Sequence, residues 1–200
     1  MRDIFLDRDG VINENPPNRG YVRKWADFAF IPESLTAIRE LTERGYRLFV
    51  VTNQSGIGRG LYSEAVLTDI HARMRADIAE AGGRVEAVYH CPHHPTAGCR
   101  CRKPRAGMLR RAAAEHAIDL QNTYLIGDTL TDIGAGRRVG ATPLLVLTGL
   151  GQESYFEYIG DYTGDYSGGF KGHADGAAVH PERVFTDLYT ATRWLLKNDS

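Results

Sequence analysis

Carboxylates follow two apolar runs of this 200-residue chain. Asp7 and Asp9 come after residues 4–6 in "FLDRDG", and Asp128 and Asp132 follow "TYLI" in "LIGDTLTD". In an extended chain a spacing of two places both side chains on one face. Such a pair can share a cation or divide the roles of nucleophile and acid, although Asp-x-Asp-Gly is also ordinary turn chemistry. Because four converging carboxylates would repel one another, the set predicts an oxygen-ligated divalent cation, for which Mg²⁺ fits best.

A third apolar run also ends in polar groups. "VVTNQSG" places the hydroxyl of Thr52 and the amide of Asn53 after residues 46–51. The backbone N–H groups of the glycine-rich "QSGIGRG" are able to cradle an anion. "GIGRG" is not a dinucleotide fingerprint, so we predict no dinucleotide cofactor.

All three cysteines lie in "CPHHPTAGCRCRKP". Three thiolates and one imidazole in a single loop predict a tetrahedral zinc site with no open position, which is structural and not catalytic. Its predicted ligands are Cys91, His93, Cys99 and Cys101. A redox centre is less favoured because Cys99-x-Cys101 is not a Cys-x-x-Cys motif. We expect the zinc loop, residues 91–101, to fix the backbone so that Arg102 and Lys103 arrive already aimed.

Short apolar runs alternate with helical patterns along the chain. The predicted strands cover residues 4–6, 46–51, 86–90, 123–127 and 143–147. The predicted helices cover residues 32–44, 63–82, 107–118, 131–139 and 182–197. This alternation predicts an α/β fold, a Rossmann-like doubly wound parallel sheet with helices on both faces, in one domain spanning residues 1–200. The loops after the strands then share one edge of the sheet, and the candidate residues lie in those loops.

Residues 149–179 do not fit this alternation. They are rich in glycine and carry four tyrosines, with no helical period and no regular alternation. We interpret the segment as an irregular insertion over or beside the site, because a long loop in a compact domain is usually functional or disordered.

Composition limits the classes of partner. A formal net charge of −1 offers no overall field for nucleic acid or a membrane surface. No run is long and apolar enough to span a bilayer, and the first ten residues carry no signal-peptide pattern. We therefore predict a cytoplasmic protein in a reducing compartment, with neither nucleic acid nor membrane as a partner.

"FLDRDG", "VVTNQSG", "CRKP" and "LIGDTLTD" together resemble the four ordered motifs of the haloacid dehalogenase superfamily of phosphatases. The resemblance implies that Asp7 attacks phosphorus to form an aspartyl-phosphate. It implies that Asp9 protonates the leaving oxygen and later deprotonates the attacking water. Thr52 and Lys103 would hold the phosphoryl oxygens.

The same resemblance assigns the metal ligands. Mg²⁺ would bind the carboxylates of Asp7 and Asp128 and the backbone carbonyl of Asp9. Asp132 would support the metal from outside its ligand shell or through water.

Within the superfamily, the chain is similar to two groups that lack large cap domains. One removes phosphate from D-glycero-D-manno-heptose 1,7-bisphosphate and the other from histidinol phosphate; the first is the closer resemblance. The heptose group usually carries Lys where this chain has Thr129, so this chain lacks one cation near the metal and the substrate. The implied substrate contacts are Asn18, Arg19, Gly20, Tyr21, Thr52, Asn53, Gln54, Ser55, Arg59, Arg102 and Lys103.

Several alternatives remain open at this point. Arg59 is equally consistent with a distal phosphate contact and with a solvated loop cation. Histidinol phosphate or a broader set of sugar phosphates would be the alternative substrates, in a monomer or an oligomer. A zinc-stabilised binding module without catalysis is the non-enzyme alternative.

Overall fold

A computed structural model of the chain describes residues 3–17, 20–163 and 179–198. Its six strands are β1 Asp3–Leu6, β2 Arg47–Asn53, β3 Ala87–Cys91, β4 Thr123–Gly127, β5 Thr142–Val146 and β6 Arg183–Phe185. Its six α-helices are α1 Ser34–Glu43, α2 Glu64–Glu80, α3 Gly107–His116, α4 Leu130–Arg137, α5 Gly151–Thr163 and α6 Leu188–Asn198. The five predicted strands and the first four predicted helices are confirmed, with small differences at their ends.

The six strands form one parallel sheet in the order β3-β2-β1-β4-β5-β6. The chain winds outward from β1 in one direction and then outward from β4 in the other. The predicted doubly wound sheet is therefore confirmed, with its topological switch point between β1 and β4, where such folds bind ligands.

Apolar side chains on both faces explain why the strands read as continuous apolar runs. In β1, Ile4 and Leu6 join the core under α1, α2 and α6, whereas Phe5 joins the core under α3 and α4. Leu48 and Val50 of β2 follow the first pattern. Alternate residues of each strand thus bury on opposite faces, which fixes the register of the sheet.

The C-terminal prediction of one helix over residues 182–197 is wrong at its start. Residues Arg183–Phe185 form β6, and Phe185 accepts a backbone hydrogen bond from Leu147. The helix begins only at Leu188, after Asp187, whose carboxylate accepts the N–H of Thr190. A three-residue strand is too short to show a periodic signal, so pairing with β5 decides its conformation.

The interpretation of residues 149–179 as irregular is also wrong for its first half. Residues Gly151–Thr163 form α5, whose buried or half-buried face includes Gly151, Ser154, Tyr155 and Tyr158. That spacing is helical, but two of its members are small, so no apolar stripe marks it in the sequence. Residues 164–178 lie outside the described residues.

Between β1 and α1 the described residues form neither an α-helix nor a strand of the sheet, and Trp25–Asp27 is a short 3-10 helix. No large cap is therefore present among the described residues of this region. None of the described helices combines the length and hydropathy that crossing a bilayer would require.

We predict that Leu195→Ala destabilises the protein. Leu195 is fully buried in the core shared by α1 and α6. Truncation of a buried leucine leaves a cavity and typically lowers the free energy of unfolding by about 2–5 kcal/mol. Urea unfolding checks this, with the exposed neighbour Lys197→Ala as the control, which should change stability by less than about 0.5 kcal/mol.

Candidate active site

The predicted acids meet at the carboxyl edge of the sheet. Asp7 follows β1 and Asp128 follows β4, and these two strands are neighbours. Carboxylate oxygens of Asp7, Asp128 and Asp132 all lie within 4.8 Å of one another. All three residues are buried.

Lys103 inserts its ammonium group into this acidic cluster. Its Nζ lies 3.0 Å from Asp7 Oδ1 and 2.5 Å from Asp132 Oδ1. It also donates a hydrogen bond of 2.7 Å to the carbonyl of Val51. Burial alone would lower the pKa of Lys103, but the carboxylates of Asp132 and Asp7 raise it above its ordinary value, so the group stays charged.

Negative charge still predominates in the cluster. Burial, together with the charges of Asp132 and Asp9, raises the pKa of Asp7 to about 7 although Lys103 opposes the shift. Burial and the charges of Asp7 and Asp132 also raise the pKa of Asp128 well above its ordinary value. One ammonium does not balance three carboxylates, and their hard oxygen donors fit Mg²⁺.

Asp132 and Thr129 form a local pair at the start of α4. Oδ2 of Asp132 accepts hydrogen bonds from the Thr129 hydroxyl, at 2.5 Å, and from the Thr129 backbone N–H, at 3.1 Å. Since Asp132 Oδ1 contacts Lys103, both oxygens have partners in the protein. Asp132 is therefore suited to a supporting role, and Thr129, which replaces the expected Lys, holds it in place.

The backbone of Lys103 is clamped from β2. Asn53 Oδ1 accepts the N–H of Lys103 at 3.0 Å, and Asn53 Nδ2 donates to the carbonyl of Lys103 at 3.2 Å. Both ends of the Asn53 amide are thereby used to position Lys103. Asn53, predicted as a substrate contact, thus contributes to the site through the lysine.

The four predicted zinc ligands converge next to Lys103. Cys91 Sγ lies 3.5 Å from Cys99 Sγ and 3.2 Å from Cys101 Sγ, and Nδ1 of His93 lies 3.2 Å from Cys101 Sγ and 3.5 Å from Cys91 Sγ. Three thiolates and one imidazole this close together fit a tetrahedral zinc ion. The neighbouring His94 ring contacts the hydroxyl of Thr96 instead.

The loop after β5 forms hydrogen bonds with Asp128 and Gly10. The N–H of Leu150 donates a 2.8 Å hydrogen bond to Asp128 Oδ2, and the hydroxyl of Thr148 donates a 2.6 Å bond to the carbonyl of Gly10. Gly149 between them has φ +58°, and a Cβ there would lie 2.3 Å from Asp128 Oδ2. Gly10 has φ +83°, and a Cβ there would lie 2.0 Å from the same oxygen.

Asp9 is held by three side chains. Arg8 Nη2 donates to both of its oxygens, at 2.7 and 3.0 Å, Asn13 donates to Oδ1 at 3.0 Å, and Gln54 donates to Oδ2 at 2.8 Å. Burial would raise the pKa of Asp9, but the charge of Arg8 and these hydrogen bonds lower it below its ordinary value. Asp9 is therefore ionised in this arrangement. Gln54 also donates to the buried Thr52 hydroxyl, at 2.9 Å.

The other residues predicted to contact the substrate differ in their position and in their exposure to solvent. Tyr21 lines a cavity of about 430 Å³ with Glu14, Arg23 and Asp27, and its hydroxyl lies 3.2 Å from Ser55 Oγ. Arg102 Nη1 is buried and has no hydrogen-bond partner among the described residues. Gly20 and Arg59 are exposed. Asn18 and Arg19 lie outside the described residues.

Sequence reasoning missed several residues that shape the site. Arg8 and His71 contact each other, and Tyr62 donates a 2.6 Å hydrogen bond to Gln54. The position of Arg8 between two candidate acids was a usable signal. His71 lies far from every motif in the sequence, whereas Tyr62 follows the glycine-rich loop closely but carries no signal of its own. The packing of α2 and the preceding loop brings both near the site.

A family model described as haloacid dehalogenase-like hydrolase matches residues 3–140, and a second, described as HAD-hydrolase-like, matches residues 100–191. The chain is a member of the haloacid dehalogenase-like hydrolase family. The resemblance drawn from the four motifs is thus confirmed at the level of the family.

Within this family the chain is similar to several heptose 1,7-bisphosphate phosphatases. A D-glycero-beta-D-manno-heptose-1,7-bisphosphate 7-phosphatase of Pseudomonas putida is 45% identical over 77% of this chain and 87% of that protein. A D-glycero-alpha-D-manno-heptose-1,7-bisphosphate 7-phosphatase of Campylobacter jejuni is 40% identical over 76% of this chain and 86% of that protein. A crystal structure of the D,D-heptose 1,7-bisphosphate phosphatase of Bordetella bronchiseptica, complexed with magnesium and phosphate, is 36% identical. It superposes with a TM-score of 0.83 over 98% of this chain and 99% of that one.

We predict that Gly149→Ala impairs the site without unfolding the protein. The added methyl group would meet Asp128 Oδ2 and the Cα of Gly10 at 2.5 Å or less, so Asp128 must move. A displacement of about 1 Å in such a site typically lowers the rate about 100-fold. Phosphate release and the Mg²⁺ concentration needed for half-maximal activity measure the effect.

Gly45→Ala provides the matched control. Gly45 also has positive φ, at +89°, but a Cβ there would meet nothing within 4 Å. The control should therefore show the backbone strain alone, as a small loss of thermal stability with activity retained. Equal loss of activity in both variants would contradict the steric explanation.

Proposed function

We propose that this protein is a Mg²⁺-dependent phosphatase that removes the 7-phosphate of D-glycero-D-manno-heptose 1,7-bisphosphate. The observation that carries the proposal is the convergence of Asp7, Asp128 and Lys103 at the switch point of the sheet. The similarity to enzymes of that name over most of both chains supports the substrate. The beta anomer is the first candidate because the Pseudomonas relative at 45% identity is named for it.

Asp7 is the nucleophile in this proposal. Its carboxylate attacks phosphorus, the bond from phosphorus to the sugar oxygen breaks, and an aspartyl-phosphate forms. Lys103 stabilises charge on the phosphoryl oxygens, together with the Thr52 hydroxyl. When bound to Asp7, Asp128 and the carbonyl of Asp9, Mg²⁺ would supply further positive charge at the same oxygens.

Asp9 is the general acid and then the general base in this proposal. The phosphate dianion of the substrate is a nearby like charge, which raises the pKa of Asp9 and favours its protonation. Asp9 then gives this proton to the leaving sugar oxygen. The resulting carboxylate, which Arg8 and Gln54 stabilise, accepts a proton from the water that hydrolyses the aspartyl-phosphate.

The sugar and its distal phosphate would lie between the loop around Tyr21 and the segment around Arg102. The cavity beside Tyr21 carries the acids Glu14 and Asp27, which are able to accept hydrogen bonds from sugar hydroxyls. Arg102 is half-buried, and its guanidinium is the proposed contact for an anionic substrate group. Asn18, Arg19, Gly20, Ser55 and Arg59 remain proposed contacts.

Zn²⁺ is proposed as a structural ion on Cys91, His93, Cys99 and Cys101. Its role would be to hold the loop that continues into Arg102 and Lys103. Because the three cysteine ligands must be unoxidised thiolates, we also propose a reducing, cytoplasmic compartment. We also propose that the protein is a monomer with a single domain over residues 1–200.

A panel of substrates tests the reaction. The beta and alpha anomers of heptose 1,7-bisphosphate, histidinol phosphate and fructose 1,6-bisphosphate are compared by kcat/KM for phosphate release with Mg²⁺ present. We expect a heptose bisphosphate to be the best substrate by at least about tenfold, since contacts to a whole substrate lower the barrier by a few kcal/mol.

Asp7→Asn is the matched negative control for the panel. It keeps the size of the side chain and removes the nucleophile, so it should abolish turnover on every substrate. Hydrolysis retained by Asp7→Asn would refute the proposed intermediate. A tenfold preference for histidinol phosphate would refute the proposed substrate, and a panel without activity would favour the binding-module alternative.

Loss of zinc should weaken phosphate binding. His93→Ala removes one proposed ligand, whereas His94→Ala removes the adjacent ring that contacts Thr96. We expect His93→Ala to lower the zinc content and raise KM about tenfold or more, because the loop that aims Lys103 is no longer fixed. Zinc content and KM of both variants check this; an unchanged kcat/KM in zinc-free protein would contradict the aiming role.

A further inference from the structure

Arg8 stands between Asp7 and Asp9 in the sequence, and its side chain is completely buried. Its Nη2 donates to both oxygens of Asp9, and its Nε donates to Oδ1 at 3.2 Å. Its Nη1 lies 3.1 Å from Nε2 of His71. A buried guanidinium is costly unless its donors are satisfied, and here Asp9 and His71 satisfy them.

The direction of the contact with His71 follows from chemistry. A guanidinium has donors and no acceptor, so Nε2 of His71 must accept, and the ring is the neutral tautomer with its proton on Nδ1. Burial, followed by the charge of Arg8, lowers the pKa of His71 to about 3, in agreement with a neutral ring. His71 lies on α2 and is buried, so it fixes one edge of the guanidinium.

A second chain of contacts reaches Asp9, from Tyr62 through Gln54. The hydroxyl of Tyr62 donates to Oε1 of Gln54 at 2.6 Å, which orients the amide so that Nε2 donates to Asp9 Oδ2 and to Thr52 Oγ1. The ring of Tyr62 is packed against Gly56, where a Cβ would lie 2.1 Å from it. Tyr62 therefore has little freedom to move.

Both chains of contacts, His71–Arg8 and Tyr62–Gln54, end on the carboxylate of Asp9. His71 fixes Arg8 and Tyr62 fixes Gln54, and these two side chains hold both oxygens of Asp9. The arrangement determines where the carboxylate points, which a general acid requires.

We propose that His71 and Tyr62 are positioning residues for Asp9, which orient its carboxylate toward the leaving oxygen through Arg8 and Gln54. The inference rests on the proposed function of Asp9 as acid and base. The competing explanation is that both chains of contacts stabilise the fold and have no effect specific to proton transfer. Dependence on the leaving group separates these explanations.

The test compares two substrates on the same enzyme preparation. The heptose bisphosphate loses a poor leaving group, a sugar alkoxide that needs a proton, whereas p-nitrophenyl phosphate loses a phenolate that does not. The variants are Tyr62→Phe and His71→Phe, and the readout is the first turnover for each substrate. Because the fraction of folded enzyme is common to both assays, the ratio of the two rates is insensitive to partial unfolding.

We expect each variant to lower the first-turnover rate on the sugar substrate by about 10-fold to 100-fold, below the limit of about 10²–10⁴ for complete loss of a general acid. The first-turnover release of p-nitrophenolate should fall less than about threefold, since that step needs no acid. His71→Gln, which can supply an uncharged acceptor to Arg8, should recover part of the loss seen in His71→Phe.

Two controls bracket the result. Tyr89→Phe removes a tyrosine hydroxyl whose hydrogen bond to Glu115 is also 2.6 Å long but lies away from Asp9, and it should leave the ratio unchanged. Asp9→Asn sets the maximum selective loss.

If Asp9→Asn slows both substrates equally, the proposed acid role of Asp9 fails. If Asp9→Asn is selective but Tyr62→Phe and His71→Phe slow both substrates equally, or neither, the positioning proposal alone is overturned.

Discussion

The site is organised by the contact of one buried ammonium with two buried carboxylates. Lys103 Nζ touches Asp7 and Asp132 at the carboxyl edge of the sheet. Removing such charges from water is costly unless they are paired, so the lysine cannot leave without destabilising the acids. Because Asp128 adds a third carboxylate to the cluster, the pairing is incomplete, and the excess negative charge is what makes the site suitable for a divalent cation.

The surrounding structure serves to keep that contact in place. Lys103 comes from a loop, and loops are mobile unless they are fixed by other contacts. Asn53 binds its backbone on both sides, and the cluster of three thiols and one imidazole lies just before it in the chain. On the other side, the loop of Thr148 and Leu150 fixes Gly10 and Asp128. Strand ends, a bracing loop and the cysteine cluster therefore constrain a small group of charges from several directions.

Most of the sheet was predictable because its strands carry strong signals. Phe5, Phe49 and their neighbours form apolar runs with alternate residues on two buried faces. The elements that were missed carry weak signals. The start of α5 buries Gly151 and Ser154, which do not register as apolar, and β6 is three residues long and depends on pairing with β5. In both cases the tertiary neighbour, not the local pattern, determines the conformation.

By itself, the sequence determined the parallel sheet, the convergence of Asp7, Asp9 and Asp128 at one edge, and the set of four thiol and imidazole donors. These features follow from periodicity and short spacings, which act over a few residues. Only the tertiary structure decided what surrounds them: Asn53 on Lys103, the loop at Gly149 behind Asp128, and His71 and Tyr62 around the partners of Asp9. Those contacts join residues 8 to 138 positions apart, and they depend on how helices and loops pack, which no local pattern in the sequence encodes.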